Sequence, residues 1–152
     1  MVDFQIDDKF EAAICCCDGI NYLAKDEVGL FFKRIHHHLG EGSKFIFDMS
    51  TPYKYDKMFC DTYVYDDGDI FYVWENELID NGTVNIEINF FVREINKFNR
   101  ITEVQTQYVY STEEIADMLK DAGFSNIEIF DDYNEVKYSE TSLRAVFTAV
   151  KC

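Results

Sequence analysis

The amino-acid sequence predicts an α/β domain into which an antiparallel β-meander is inserted. Three observations predict it: a strand–helix–strand unit over residues 11–48, strands of alternating polarity over 70–110, and a helix with two strands after 111. At 152 residues the chain has the length of one domain. Its 47% hydrophobic and 28% charged composition excludes a disordered or low-complexity chain.

The first unit is predicted from apolar runs. Residues 11–17 form a continuous small apolar run, which is typical of a strand buried on both faces of a parallel sheet. Residues 44–47 form a second short buried strand. A strand–helix–strand order implies a right-handed parallel crossover. The intervening apolar side chains are spaced as one face of an amphipathic helix: Val28, Phe31, Phe32, Ile35 and Leu39.

The middle of the chain alternates with period two, as half-exposed strands do. Residues 70–78, 84–92 and 100–110 each place apolar or aromatic side chains on one face and polar ones on the other. Asp66-Asp67-Gly68 and Asp80-Asn81-Gly82 are strong hairpin-turn signals. These patterns predict an antiparallel meander.

The C-terminal part returns to helix and strand. Ser111 and Glu114 form a capping box at the start of a helix, and Gly123 ends that helix. Residues 127–130 and 143–150 are predicted strands, joined as a hairpin by the polar stretch 131–142.

Charge excludes several classes of partner. The 29 acidic and 14 basic residues give a net charge of −15, which opposes autonomous binding to nucleic acid or to an anionic membrane. Eight acids and no Lys or Arg lie between 58 and 92, either as a solvated sheet face or as a field that favours a cationic ligand. The N-terminus is acidic and no apolar stretch reaches the ~20 residues of a membrane span, so we expect a cytosolic protein.

Cysteine and histidine spacing argues against a metal site. The chain has no CxxC pair, so its five cysteines are expected to be reduced thiols that pack in the interior. His36, His37 and His38 are consecutive in the predicted helix, where their side chains diverge; they are expected to decorate its C-terminus. The five cysteines are Cys15, Cys16, Cys17, Cys60 and Cys152.

In an open parallel sheet, ligands bind at the carboxyl ends of the strands. Residues 17–22 and 48–51 occupy such ends here. The glycine-rich turn that cradles a nucleotide, however, is absent from the 152 residues, which contain no GxGxxG and no P-loop.

Four segments together resemble class I S-adenosylmethionine-dependent methyltransferases. Phe10–Leu23 resembles the fourth-strand motif of that family, and Leu39–Asp48 resembles its helix-to-fifth-strand junction. Tyr72–Asn76 with the following hairpin is similar to the antiparallel insertion of a small bacterial subgroup, and Glu113–Phe124 is similar to the last helix. The resemblance covers essentially the whole chain in the order of the family.

The sequence also departs from the family pattern. Glu11 stands where Asp is usual, and Glu41 and Ser43 stand where Pro and a second Gly are usual. The glycine loop and the ribose-binding acid of the family's first half have no counterpart, and Met1 resembles a truncation point. The resemblance therefore implies a partial Rossmann-like methyltransferase sheet, from the fourth strand onward, formed by 1–52 and 111–152 of a single domain, with 53–110 as the inserted antiparallel sheet.

The resemblance also implies ligands and residues. It implies S-adenosylmethionine as cofactor and a small molecule as methyl acceptor, and it names no acid or base. Three residues would line the methyl-donor end of the cofactor, although each also suits an ordinary role in a turn, a cap or the core: Asp18, Asn21 and Tyr22. Five residues would form an acceptor pocket under the meander, although packing alone also explains them: Tyr53, Trp74, Phe91, Arg93 and Tyr108.

Without a first strand beside it, the strand at 11–17 leaves an open apolar edge, and such edges seek partners. We expect a homodimer, or pairing with a complementing chain, through this edge. Three functions stay open: a small-molecule methyltransferase in its complete form and inactive as this chain alone, a non-catalytic interaction module, and half of a site that another chain completes.

Overall fold

Two four-stranded sheets form the structure, a computed structural model that describes residues 1–58, 61–80 and 82–152. The elements in chain order are β1 (Phe10–Cys15), α1 (Lys25–His38), β2 (Leu39–Ser50), α2 (Pro52–Met58), β3 (Tyr63–Asp66), β4 (Ile70–Asp80), β5 (Thr83–Glu94), β6 (Lys97–Tyr108), α3 (Thr112–Asp121), β7 (Phe124–Asp131) and β8 (Arg144–Lys151). A single 3₁₀ turn, Gly19–Tyr22, follows β1.

The first sheet has the order β1-β2-β8-β7. β1 and β2 are parallel, with Cys15 opposite Phe47, whereas β8 runs antiparallel to both of its neighbours. The predicted parallel unit and the predicted C-terminal hairpin are thereby confirmed, and the fold is a mixed α/β fold.

Aromatic packing fixes this sheet beneath α1 and α3. Phe32, Phe45, Phe47 and Phe147 are each at most 1% exposed. The Phe47 and Phe147 rings stack with centroids 4.9 Å apart. Full burial of one such side chain contributes about 1.5–3 kcal/mol, so this cluster holds β2 and β8 in register.

The second sheet, β3-β4-β5-β6, is antiparallel throughout and confirms the predicted meander. Its inner face, which carries Trp74 on β4 and Ile86 and Ile88 on β5, packs against Tyr55 of α2. Its outer face carries Phe71 opposite Phe91, Glu75 opposite Glu87, and so on along the strands.

Both ends of α3 follow the sequence signals. The Ser111 hydroxyl accepts from the Glu114 N–H at 3.1 Å, and Glu114 accepts in return from the Ser111 N–H. Gly123 has φ +100°, as the prediction that it ends the helix requires. The hairpin turn at 66–68 also forms, with the Gly68 N–H donating to Asp66 over 2.8 Å. In the second predicted turn, Asn81 lies outside the described residues.

Several boundaries differ from the predictions. β2 begins at Leu39, five residues before the predicted strand, and neither α2 nor β3 is predicted. The expectation that 11–17 is buried on both faces is wrong for the described residues, because β1 lies at the edge of its sheet and Ile14 is 68% exposed. Within the same residues, no helix is long and apolar enough to cross a membrane.

The predictions for the cysteines and histidines are confirmed for some of these residues and wrong for others. Cys15 is half-buried, but Cys16, Cys17 and Cys152 are exposed free thiols, so interior packing is wrong for these three; Cys60 lies outside the described residues. The three histidines form the last turn of α1, as predicted. His38 is nevertheless buried, where its Nε2 accepts from the Ile6 N–H over 3.1 Å.

Candidate functional site

The candidate site is centred on the post-β1 turn, residues 17–22, at the carboxyl ends of the parallel strands β1 and β2. Cys17 (φ 63°) and Asp18 (φ 46°) both adopt the left-handed conformation, which reverses the chain immediately after the strand. Non-glycine residues rarely adopt this conformation, so surrounding contacts must hold it. Gly19 fits the same tight space, since a Cβ there would lie 2.9 Å from the Cys15 sulfur.

Asp48, near the end of β2, supplies the first of these contacts. Its Oδ2 accepts a hydrogen bond from the Asp18 N–H at 3.0 Å and an ion-pair hydrogen bond from Arg144. Asp48 is 1% exposed, and among the described residues its Oδ1 has no hydrogen-bond partner. A buried carboxylate needs a counter-charge, and Arg144 at the start of β8 provides it.

Arg144 joins three carboxylates. Besides Asp48 it lies 3.5 Å from Asp18 Oδ1 and, through Nε, 3.6 Å from Asp132 Oδ1. Its guanidinium also lies over the Tyr133 ring, 5.6 Å from the ring centroid. The Asp18 carboxylate thus faces a fixed positive charge at the sheet end.

Asn21 ties the turn to both sheets. Its Nδ2 donates to the Tyr108 carbonyl at 2.9 Å and to the Ser50 carbonyl at 3.3 Å, and its Oδ1 accepts from the Ser50 N–H at 2.8 Å. Because Asn21 is fully buried and its amide is engaged on both sides, its contribution here is to hold the ends of β2 and β6 together. Its contact with a cofactor stays a prediction.

Polar side chains on the inner face of β6 connect the second sheet to the turn. Gln107 donates to Asp18 Oδ2 at 3.2 Å and accepts from the buried Tyr55 hydroxyl at 2.8 Å. Gln105 accepts from the Tyr22 hydroxyl at 3.0 Å. Burial raises the pKa of the Tyr55 and Tyr22 hydroxyls, so both stay protonated and act as donors at neutral pH. Tyr22 is 42% exposed, so a ligand can reach its side chain.

The five residues predicted to form an acceptor pocket are not brought together. Trp74 lies on the inner face of the second sheet. Phe91 and Arg93 both lie on its outer face. The reason is the register of β4 and β5. Trp74 pairs with Ile88, whereas Phe91 pairs with Phe71; since successive side chains of a strand point to opposite faces, Trp74 and Phe91 lie on opposite faces of the sheet. Arg93 is also occupied at the hairpin end, where it donates to the Gly68 carbonyl at 2.5 Å.

The remaining two predicted residues lie elsewhere. Tyr53 is in α2, with the Lys57 ammonium 5.8 Å from its ring centroid. Tyr108 ends β6, where its carbonyl accepts from Asn21 and its ring packs against the main core. A common pocket of all five is therefore excluded, while individual roles stay predictions.

Two clefts flank α2. One, of about 560 Å³, lies between α2 and the β7–β8 connection, and its lining includes Lys54, Asp132 and Arg144. The other, of about 300 Å³, lies between α2 and the second sheet, and its lining includes Lys54, Tyr72 and Trp74. α2 thus forms a wall shared by both clefts.

Sequence reasoning missed Arg144, Gln107 and Tyr55. Asp48 is named by position, at the end of a predicted strand, but its burial is not predicted. Arg144 stands 96 residues from Asp48 in sequence, and Gln107 stands 89 residues from Asp18. Gln105 and Gln107 stand on the face of the 100–110 strand that the alternation assigns to polar side chains, so no local signal marks them as site residues.

Two curated relatives cover almost all of this chain, while no family model matches it. A protein of Geobacillus sp. strain WCH70, which carries a methyltransferase name, is 34% identical over 155 residues, covering 99% of this chain and 63% of that protein. YqeM of Bacillus subtilis strain 168, also named as a methyltransferase, is 32% identical over 95% of this chain and 60% of its own length. The chain thus spans less than two thirds of the relatives it matches.

Solved structures agree with these relatives. A crystal structure of an S-adenosylmethionine-dependent methyltransferase from Clostridium acetobutylicum ATCC 824 is 32% identical and superposes with a TM-score of 0.91 over 99% of this chain and 61% of that one. The CcbJ methyltransferase of Streptomyces caelestis, at 11% identity, shares the fold alone, with a TM-score of 0.81 over 99% of this chain and 61% of that one. In sequence and in fold, this chain is therefore similar to S-adenosylmethionine-dependent methyltransferases over about three fifths of their length.

Proposed function

We propose that this chain is the acceptor-side portion of an S-adenosylmethionine-dependent methyltransferase that acts on a small molecule. In this proposal, residues 1–52 and 111–152 form the rear half of a Rossmann-like sheet, and 53–110 form the inserted sheet. The observation that carries the proposal is the post-β1 turn, whose strained backbone is held by Asp48, Arg144 and Gln107 at the carboxyl ends of two parallel strands.

The residues of the turn suit the methyl-donor end of the cofactor. Methyl transfer from a sulfonium is an in-line displacement that depends mainly on positioning, since the departing sulfide needs no acid. In our proposal Asp18 accepts from the cationic amine of the cofactor, Tyr22 presents its ring or hydroxyl beside the sulfonium, and Asn21 sets the turn. In the same proposal, Trp74 of β4 and Tyr53 of α2 contribute to acceptor binding.

We further propose that the rest of the cofactor is held by a region equivalent to the part of the relatives that this chain does not match. The matched share is 60–63% of the curated relatives, and the 152 residues contain no glycine-rich phosphate or nucleotide loop. The chain alone is then expected to bind S-adenosylmethionine weakly and to transfer no methyl group at a measurable rate.

Isothermal titration calorimetry tests this proposal. For the chain alone we expect a dissociation constant for S-adenosylmethionine above about 100 μM, or weaker than about −5.5 kcal/mol. Addition of a polypeptide carrying the unmatched part of the Bacillus subtilis relative is expected to tighten binding at least tenfold, and Asp18→Ala is expected to cancel the gain. Tight binding by the chain alone, or no gain with the added polypeptide, contradicts the proposal.

The edge of β1 supports a second candidate, an interaction role. Among the described residues β1 pairs with β2 alone, and Phe10 and Ile14 are 41% and 68% exposed along it. Unpaired apolar edges associate, so we propose that this edge joins a second copy or a complementing chain. Sedimentation velocity at low micromolar concentration is expected to show a dimer, which Ile14→Lys abolishes; a clean monomer of the unchanged chain contradicts the homodimer.

A further inference from the structure

The cleft between α2 and the second sheet, here called the aromatic cleft, has a lining suited to one class of ligand. Its volume is about 300 Å³, which is large enough for a small organic molecule. It is lined by Lys54, Met58, Tyr63, Tyr72, Trp74 and Asn76.

The Trp74 and Tyr63 side chains offer ring surface rather than free hydrogen-bond donors. The Trp74 indole N–H donates a hydrogen bond to Asn76 Oδ1 at 2.7 Å, and the Asn76 amide in turn donates to the Asp61 carbonyl at 3.2 Å. The Tyr63 hydroxyl donates to the Met58 carbonyl. With these polar atoms satisfied inside the protein, the rings present apolar faces and edges, which recognise a flat ring by stacking.

Cross-strand pairing keeps these rings in place. Tyr63 of β3 lies directly opposite Trp74 of β4, and Tyr65 lies opposite Tyr72, with ring centroids 5.3 Å apart and a 22° interplanar angle. Phe90 supports Tyr72 from the next strand, at a centroid distance of 5.8 Å. The arrangement of these rings is therefore largely preformed, which lowers the entropy cost of ordering them around a ligand.

The charge of the lining selects the sign of the ligand. Lys54 is the one charged residue among the described residues that line the aromatic cleft, and no carboxylate lines it. An aromatic cage for a cation would place an ammonium ligand close to that lysine, where like charges repel. An oxyanion on the ligand would instead pair with it.

Lys54 lies on the side of the aromatic cleft that is connected to the post-β1 turn. Its Nζ donates to Ser50 Oγ at 2.9 Å, and the Ser50 N–H donates to Asn21 Oδ1 at 2.8 Å. A ligand oxyanion at Lys54 therefore stands on the side of the turn, with its ring toward Trp74.

We propose that the aromatic cleft binds a planar-ring compound that carries an oxyanion, an aryl carboxylate or aryl phosphate. The identification of this ligand with the methyl acceptor rests on the proposed function. Binding itself involves residues of this chain alone and requires no cofactor, so it is measured separately from methyl transfer.

The single tryptophan of the chain makes the test direct, because Trp74 lines the cleft and is the sole source of indole fluorescence. Emission is followed during titration with benzoate, phenyl phosphate, benzyl alcohol, benzylamine and acetate. We expect saturable changes with benzoate and with phenyl phosphate, and at least tenfold weaker binding of the neutral, cationic and ring-free probes. The ratio of benzoate to phenyl phosphate affinity distinguishes the two sources of oxyanion.

Lys54→Gln is expected to weaken binding of the anionic probes at least fivefold. Lys54→Arg keeps the positive charge and is expected to retain most of the binding affinity, so it tests the charge even where the Gln variant folds poorly. Lys57→Gln, on the same helix but outside the cleft lining, serves as the matched control and is expected to bind as the unchanged chain does. Tighter binding of benzylamine than of benzoate, or no saturable change with any ring compound, overturns the inference. A chain that binds no S-adenosylmethionine in the calorimetric test can still bind aryl anions in the aromatic cleft, so that result does not contradict this inference.

Discussion

The backbone N–H of Asp18 donates a hydrogen bond to Oδ2 of Asp48 over 3.0 Å, so the turn after β1 is fastened to the end of β2 across 30 residues of sequence. The same oxygen accepts from Arg144, which lies near Asp18 as well. This buried carboxylate therefore connects β2, β8 and the turn on which the proposed function depends.

Removal of the counter-charge tests that connection. Arg144→Met is expected to lower the free energy of unfolding by about 3 kcal/mol, because it leaves the buried Asp48 carboxylate unpaired. Urea unfolding at pH 7 measures the change. Lys137→Met, which removes an exposed pair with Glu128, is the control and is expected to change stability little. Equal losses in the two variants would contradict the role of Arg144.

Asn21→Ala tests the bond between the two sheets. It deletes an amide that is hydrogen-bonded to the backbone of Ser50 and Tyr108, leaving buried backbone groups unsatisfied. We expect a loss of at least about 2 kcal/mol in the free energy of unfolding. Asn99→Ala, at an exposed position of β6, is the comparison, and a loss no larger than in that variant would refute the assignment.

Two glycine substitutions are expected to act in opposite directions. Gly123 has φ +100°, and a Cβ there would lie 2.8 Å from His36 Nε2, so Gly123→Ala is expected to destabilise by at least about 1–2 kcal/mol. Gly29 lies within α1 with no atom within 4 Å of a built Cβ, and Gly29→Ala is expected to stabilise by about 0.5–1 kcal/mol. Thermal unfolding that shifts the same way in both variants would contradict the reading.

Stability is expected to fall on mild acidification. Burial and the Lys151 charge lower the pKa of His36 below its usual value near 6.5. A histidine whose pKa is lowered in the folded state stabilises the fold at pH values above its pKa in the unfolded state. That contribution is lost as the pH falls through the pKa of the folded state. Unfolding free energies at pH 7.5 and 5.5 should differ, and His36→Gln should reduce the difference. Carboxylates with lowered pKa, such as Glu114, act in a lower window. An unchanged difference in His36→Gln would count against this.

Local pattern was sufficient for most of the fold. Alternation over 70–110 predicts three strands of the meander, and the Ser111–Glu114 capping box predicts the start of α3, because such signals lie within a few residues of each other. α2 lies beyond their reach, since seven residues show less than two turns of periodicity. Its position depends on Tyr55 packing against Ile86 and Ile88.

The site was less predictable because its contacts are long-range. Asp18, Asn21 and Tyr22 share one local turn, and the sequence places them there through the strand that precedes it. Their partners, Arg144, Gln107 and Gln105, come from β8 and β6, and nothing in those strands marks them. The predicted acceptor pocket failed for a related reason: Trp74 and Phe91 face opposite sides once the register of β4 and β5 is fixed.

The most direct test of the account is a map of where S-adenosylmethionine touches this chain. With the chain isotopically labelled and the cofactor at millimolar concentration, amide chemical shifts report weak binding residue by residue. The account predicts changes concentrated at residues 17–22 and 48–51, which Asp18→Ala removes. Changes confined to the outer face of the second sheet, or no changes at all, would contradict it.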